Sequence, residues 1–337
     1  MDIFPASLGE LMAQLVFHSL VVALVIEALI KAWHFHNPLS RLRFRLFILL
    51  LPILAIPLYQ ALYPARGSSD FRQGFVLLDL QKWFPLRIWF DLPLWYLLAG
   101  VMTLSSALFF AYEVLPIFRR RFRQDKGRPH LKEEDLPFLQ PLLTQVAKAF
   151  SRPVPRVFLL KNQEPVVYIT GLREQRLYLS PSLAKLLDPD ELKGVLAHEM
   201  AHIVRRDIWV SWVLLFFRAL TFFNPVALVA FRRIIYENEK VCDDMAVRVT
   251  KDPLALASSI IKVYRATRAG PKKAGPGKLA GWFLSMASTL EQHENKALVE
   301  DRAERVISGK NPGQGPFEKA GMALTAAFLV ALLFFVV

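Results

Sequence analysis

Residues 208 to 231 form an apolar run set between two polar stretches, ELKGVLAHEMAHIVRRD at 191 to 207 and RRIIYENEKVCDDMAV at 232 to 247. The first stretch places His198 and His202 four residues apart, which on a helix puts both imidazoles on one face, one turn apart. The second places Glu239 and Asp243 at the same spacing. If His198, His202 and Glu239 hold one metal ion, the run between them cannot cross a bilayer once, because its ends would lie on opposite faces. It must enter and return. Asn224 followed by Pro225 marks the return, since asparagine caps a new helix and proline is tolerated at its first position. At 1.5 Å per residue the two arms, Asp207 to Asn224 and Pro225 to Glu239, extend ~26 Å and ~21 Å, a pair of similar length.

The helix that carries the histidines has its own start signal. Asp188 can cap it, Pro189 sits where its missing N–H costs nothing, and Glu191 closes a capping box. Zinc suits the donors, because two neutral imidazoles and a carboxylate leave a fourth position open for water. Glu199 adjoins the first histidine but points off the ligand face, which makes it a general base rather than a ligand. Asp243 can accept the free N–H of a ligating imidazole, His198 in this reading. Glu237 and Asp244 read as a solvated helix face, and Cys242 as a small buried residue rather than a thiolate ligand. The chemistry expected of one zinc ion with this base is hydrolysis of amide bonds.

The rest of the chain reads as membrane. Of its 337 residues 54% are hydrophobic, and the formal net charge is +13. Apolar runs at 11 to 30, 46 to 63 and 93 to 118 are each near the ~20 residues that cross a bilayer, so three transmembrane helices are expected in 1–118. Another apolar run, 320–337, is expected to be a C-terminal transmembrane helix. Lys31, Arg41, Arg43 and Arg45 follow the first run, and Arg119, Arg120, Arg121, Arg123, Lys126 and Arg128 follow the third. Basic residues stay on the cytoplasmic side, so the catalytic site faces the cytoplasm of a multi-pass inner-membrane protein. The arginine run abuts a span, which argues for lipid headgroups as its partner and against nucleic acid. Glu27, inside the first run, is either a partner site within the bundle or an interfacial salt bridge with Lys31, one turn on; the second is the expectation. A single cysteine precludes an intrachain disulfide.

Residues 119–319 are expected to form the peptidase domain, including the apolar hairpin at 208–231. A helix is expected over 136 to 150, followed by strands RVFLL at 156 to 160, VVYIT from 166 and RLYLS at 176 to 180, forming a small antiparallel sheet. Such a sheet can offer an edge strand to an extended peptide, or be purely structural. The Gly/Pro/Lys-rich stretch at 269 to 279 reads as an exposed loop. The fold class is thus an α-rich integral membrane protein with a small α+β zinc peptidase domain.

The segment from Leu177 to Asp207, FNP at 223 to 225 and EKVCD at 239 to 243 resemble the membrane metallopeptidases of the beta-lactam sensor-transducer (BlaR/MecR) type. That resemblance implies a gluzincin domain among transmembrane helices, with zinc on His198, His202 and Glu239 and Glu199 as the base. It departs at the end, where no penicillin-binding domain follows, so a stand-alone protease or one driven by a separate sensor or regulatory partner is expected. A looser similarity to HtpX-type proteases, which act in membrane-protein quality control, offers His293 and Arg302 as oxyanion donors. The contrasting expectation from another class is a signalling scaffold with a non-catalytic zinc.

Overall fold

The computed structural model describes residues 8–74, 76–77, 86–88, 92–111, 130–131, 138–160, 165–170, 176–269, 296–309 and 318–336. These fall into two compact units. One comprises Met1–Val114, Leu215–Glu237 and Pro312–Val337; the other comprises Leu115–Leu214 and Asn238–Asn311.

The first unit is helical. Helices α1 (Leu8–Ala32) and α2 (Pro38–Leu62) pack together and are long and apolar enough to cross a membrane. Asn37 separates them and caps α2, its Oδ1 accepting from the Leu39 amide at 2.9 Å ahead of Pro38 at the first position. A short helix α3 (Ser69–Gly74) and the two-residue strands β1 (Arg87–Ile88) and β2 (Leu92–Pro93) lead into α4 (Leu94–Phe109). This is the described part of the third expected span, whose remainder from 112 lies outside the described residues. The C-terminal helix of this unit, labelled α12 below, spans Glu318–Phe334 and packs on α1 and α2.

Glu27 does not pair with Lys31, which is exposed. It accepts from Arg45 Nε on α2 at 2.9 Å and lies 2.8 Å from Arg233 Nη1. Arg45 also donates to Glu237 at 2.6 Å, and Arg41 lies 3.1 Å from the same oxygen. Glu237 is therefore not on a solvated face: it is 1% exposed, because α2 offers two guanidiniums to the side of the helix on which it sits.

The return in the apolar run forms where Asn224 stands. Helix α8 (Asp207–Leu220) ends in a turn, and α9 (Pro225–Thr250) starts with Asn224 Oδ1 accepting from the Val226 and Ala227 amides at 3.0 and 3.2 Å. The turn is buried, with Thr221, Phe223 and Asn224 each under 5% exposed. Asn224 Nδ2 donates to Ser19 Oγ on α1 at 2.9 Å, and the Phe222 ring lies 6.0 Å from that of Phe109 on α4. Buried Arg218 donates to the Thr221 carbonyl at 3.1 Å and lies over the same Phe109 ring.

The second unit is α+β. Its sheet has the order β3-β4-β6-β5, from β3 (His130–Leu131), β4 (Arg156–Leu160), β5 (Val167–Thr170) and β6 (Arg176–Leu179). The strands lie where the alternation predicts, but the sheet is mixed rather than antiparallel, because β6 inserts beside β4 in parallel and β5 pairs with β6 on its other side. Successive short strands need not be hairpin neighbours when an intervening segment allows a crossover. Helix α5 (Leu139–Ala149) lies within the span expected to be helical, and α6 (Pro181–Leu186) follows the sheet.

Next comes α7 (Pro189–Arg205), whose start is the capping box: Asp188 Oδ1 accepts from the Glu191 amide at 2.9 Å and Glu191 Oε2 from the Asp188 amide at 3.0 Å. Leu192, Val195, Leu196 and Met200 form its buried stripe, at the 3.6-residue period, against Leu143, Leu177 and Leu179 of the same core. Each such side chain stabilises the fold by about 1.5–3 kcal/mol. Helix α10 (Pro253–Ala269) approaches α7 closely at Gly194, where an added Cβ would lie 3.3 Å from the Leu256 Cα. Helix α11 (Lys296–Ile307) packs on α10.

Candidate metal centre

The site is assembled from α7, the start of α8 and the middle of α9. His198 and His202 leave α7 with their Nε2 atoms 3.2 Å apart. Glu239 on α9 completes the group, its Oε2 3.2 Å from His198 Nε2 and its Oε1 3.7 Å from His202 Nε2. A tetrahedral ion with metal–nitrogen bonds of ~2.05 Å spaces its donors ~3.3 Å apart, so these separations suit one zinc ion. Glu239 Oε2 is buried with no hydrogen-bond partner, as is Glu237 Oε2, but only Glu239 faces two imidazole nitrogens.

A carboxylate lies behind each imidazole. Asp243, fully buried one turn along α9, places Oδ1 2.9 Å from His198 Nδ1, at hydrogen-bond distance but off the direction of a well-aligned one. Asp207 Oδ2 lies 2.9 Å from His202 Nδ1. Arg302 from α11 grips Asp243 with both ends of its fork, Nε and Nη2 each at 2.9 Å, and its Nη2 lies 3.6 Å from Glu239 Oε2. The guanidinium expected as an oxyanion donor is thus tied to two carboxylates. His293 and the 269 to 279 stretch from Gly270 on lie outside the described residues. Asp244, expected to be solvated, is partly buried and accepts from Arg305 Nη2 at 2.6 Å, because α11 reaches this side of α9 as well.

The electrostatics favour a cation. Burial alone would lower the His198 pKa, but Asp243 and Glu239 outweigh it and raise it to about 9. His202 is likewise held well above its usual range, against burial, by its contacts with Cys242 and Asp207 and by the charge of Glu239. Burial alone would raise Glu239, yet His202, His198 and Arg302 bring it down to about 2. Half-buried Glu199 goes the other way: desolvation pushes its carboxyl up, with the two imidazoles opposing. Such a shift brings a carboxylate closer to the range useful to a general base, while a bound cation would pull it back.

Cys242 is buried with Sγ 3.4 Å from His202 Nδ1 and 3.5 Å from Asp207 Oδ2. Those three could form a second donor set. Burial first of all pushes the thiol up to about 12, so it stays protonated at neutral pH, and the Asp207 carboxylate is already taken by Arg205 and Asn238. That set does not suit a metal. Asp207 is the residue sequence reasoning passed over. Its signal was the HIVRRD ending, an acid placed where the histidine helix stops.

Two imidazoles and a carboxylate converge from two helices, with a glutamate beside the first imidazole, and form a candidate metal centre. The chain belongs to the BlaR1 peptidase M56 family, whose sequence profile matches residues 81–279. It is also similar to proteins named "Protease HtpX homolog". That of Syntrophobacter fumaroxidans is 34% identical over 118 residues, covering 34% of this chain and 39% of the relative. That of Aquifex aeolicus is 29% identical over 119 residues, 35% and 37% of the two chains. That of Thermococcus sibiricus is 23% identical over 227 residues, 56% and 75% of the two. The chain thus spans under two fifths of the length of the first two.

Proposed function

We propose that this chain is a membrane-embedded, zinc-dependent endopeptidase that cleaves protein substrates at the cytoplasmic face. The observation that carries the reading is the convergence of His198 Nε2, His202 Nε2 and the Glu239 carboxylate, with Glu199 adjoining. When bound, zinc supplies Lewis acidity, polarising a scissile carbonyl and acidifying a water. Glu199 takes the proton of the attacking water and later hands it to the leaving amine. His198, His202 and Glu239 are the ligands, and Asp243 holds His198 in its tautomer. We assign Arg302 to securing Asp243 and Glu239, since that is where its fork is spent. An extended peptide is accommodated along β5, the one of the described sheet's two outer strands that packs on α7.

The decisive comparison is Glu199→Gln, which should retain stoichiometric zinc and lose peptidase activity by about 10²–10⁴-fold. Peptides that accumulate in membranes with the parent should be missing with the variant. Normal turnover in the variant would sink the mechanism and leave the non-catalytic scaffold as the better account.

The division into membrane helices in 1–118, a peptidase domain in 119–319 and a C-terminal membrane helix in 320–337 belongs to this proposal, as does the inner-membrane location. It is supported by the length and apolarity of α1 and α2 and by the arginines that follow the spans. Arg248 is exposed on α9 beyond the metal ligands, so a cysteine placed there should react with impermeant reagents only from the cytoplasmic side. Labelling from outside would reverse the orientation. Regulatory proteolysis of the sensor-transducer type, driven by a separate partner, is the role we favour. HtpX-like quality control is the second reading, prompted by similarity to proteins named "Protease HtpX homolog".

A further inference from the structure

Helix α7 does not fade into α8; it is stopped by Arg206, whose left-handed conformation (φ 55°) is one that residues other than glycine seldom adopt. The effect of that turn is to bring Asp207 back under the last turn of the helix it has just left. There its carboxylate is surrounded by donors. Oδ2 faces His202 Nδ1 at 2.9 Å and accepts from Asn238 Nδ2 at 3.0 Å, while Oδ1 accepts from Arg205 Nε at 3.1 Å. Arg205 Nη2 in turn donates to Asn238 Oδ1 at 2.6 Å. Asn238 therefore uses both ends of its amide and stands immediately before Glu239.

We propose that Asp207 is a positioning residue for His202: it accepts the Nδ1 proton and so keeps the Nε2 lone pair aimed at the metal. Arg205 and Asn238 hold the carboxylate at that angle, and the same ring of contacts ties the end of α7 to the turn of α9 that bears Glu239. The histidine and the glutamate then share one support. Asp243 lies behind His198 in a parallel way but is held by Arg302, so each imidazole faces a different carboxylate with a different guanidinium behind it. The proposal rests on the reading of His202 as a metal ligand.

The test is zinc affinity, measured by chelator competition on the full-length detergent-solubilised protein, beside thermal unfolding of the metal-free form. Asp207→Asn keeps the shape and removes the charge; its zinc dissociation constant should rise about 10-fold to 100-fold, the usual cost of losing such a partner, with the metal-free midpoint unchanged. The visible spectrum of the cobalt-substituted protein should change as the imidazole tilts. Asn238→Ala, which removes one support without touching the histidine, should weaken zinc in the same direction by less, and it carries the test if Asp207→Asn does not fold. Parent-like affinity in Asp207→Asn, or in Asn238→Ala where it stands in, overturns the orienting role. So does a fall in the metal-free midpoint that accounts for the whole loss. Parent-like affinity in His202→Ala would instead overturn the metal reading, and this proposal with it.

Discussion

Glu237 and Glu239 are two residues apart on α9, both buried, and their surroundings have opposite chemistry. Around Glu237, two carboxylates, Glu27 and Glu237, face three guanidiniums, Arg41, Arg45 and Arg233. Negative charge there is answered by guanidiniums, all of which reach Glu237 through Oε1 or reach Glu27. Around Glu239 the balance reverses: the carboxylates of Glu199, Asp207, Glu239 and Asp243 outnumber the guanidiniums of Arg205 and Arg302. Without a metal the excess is offset by protons held on the two imidazoles, whose pKa values are raised for that reason; a divalent cation offsets it while leaving the imidazoles neutral and free to ligate. A buried cluster matched by arginines needs no further cation, whereas one with excess carboxylates lined by imidazoles suits a metal.

The sharpest way to break this contrast is to truncate each glutamate in turn. Glu239→Ala should lose bound zinc outright, measured as metal per chain after purification. Glu237→Ala should keep zinc but destabilise the fold by on the order of 3 kcal/mol, because it leaves Arg41 and Arg45 short of a buried partner. Loss of zinc from the Glu237 variant with retention in the Glu239 variant would mean that the two roles had been exchanged. A smaller effect tests the support behind the site. Asp243→Asn should weaken zinc about 10-fold to 100-fold without abolishing it. If it binds like the parent, the contact between Asp243 and His198 is packing alone.

Much of the site was legible because its signals are local. The i,i+4 spacing of the histidines, the Asp188 capping box and the cap at Asn224 depend on residues within one or two turns of each other. Solvation was not legible. Glu237 and Asp244 read as surface because acids on a helix usually are, and only the arrival of Arg41, Arg45 and Arg305 from distant segments made them buried or paired. Glu27 likewise had a plausible partner one turn away in Lys31, and tertiary packing supplied Arg45 and Arg233 instead.

Sequence by itself determined that α7 starts at Pro189, that it displays two imidazoles on one side, and that the apolar run after it is interrupted at Asn224, since each follows from backbone capping and helical period. Only the tertiary structure decided that β6 lies between β4 and β5, that Glu237 is buried among arginines, and that Asp207 turns back beneath His202. Two residues along a helix is about 200° of rotation, so neighbouring acids look out in nearly opposite directions. What each then meets depends on chain far away in sequence, and no local pattern records it.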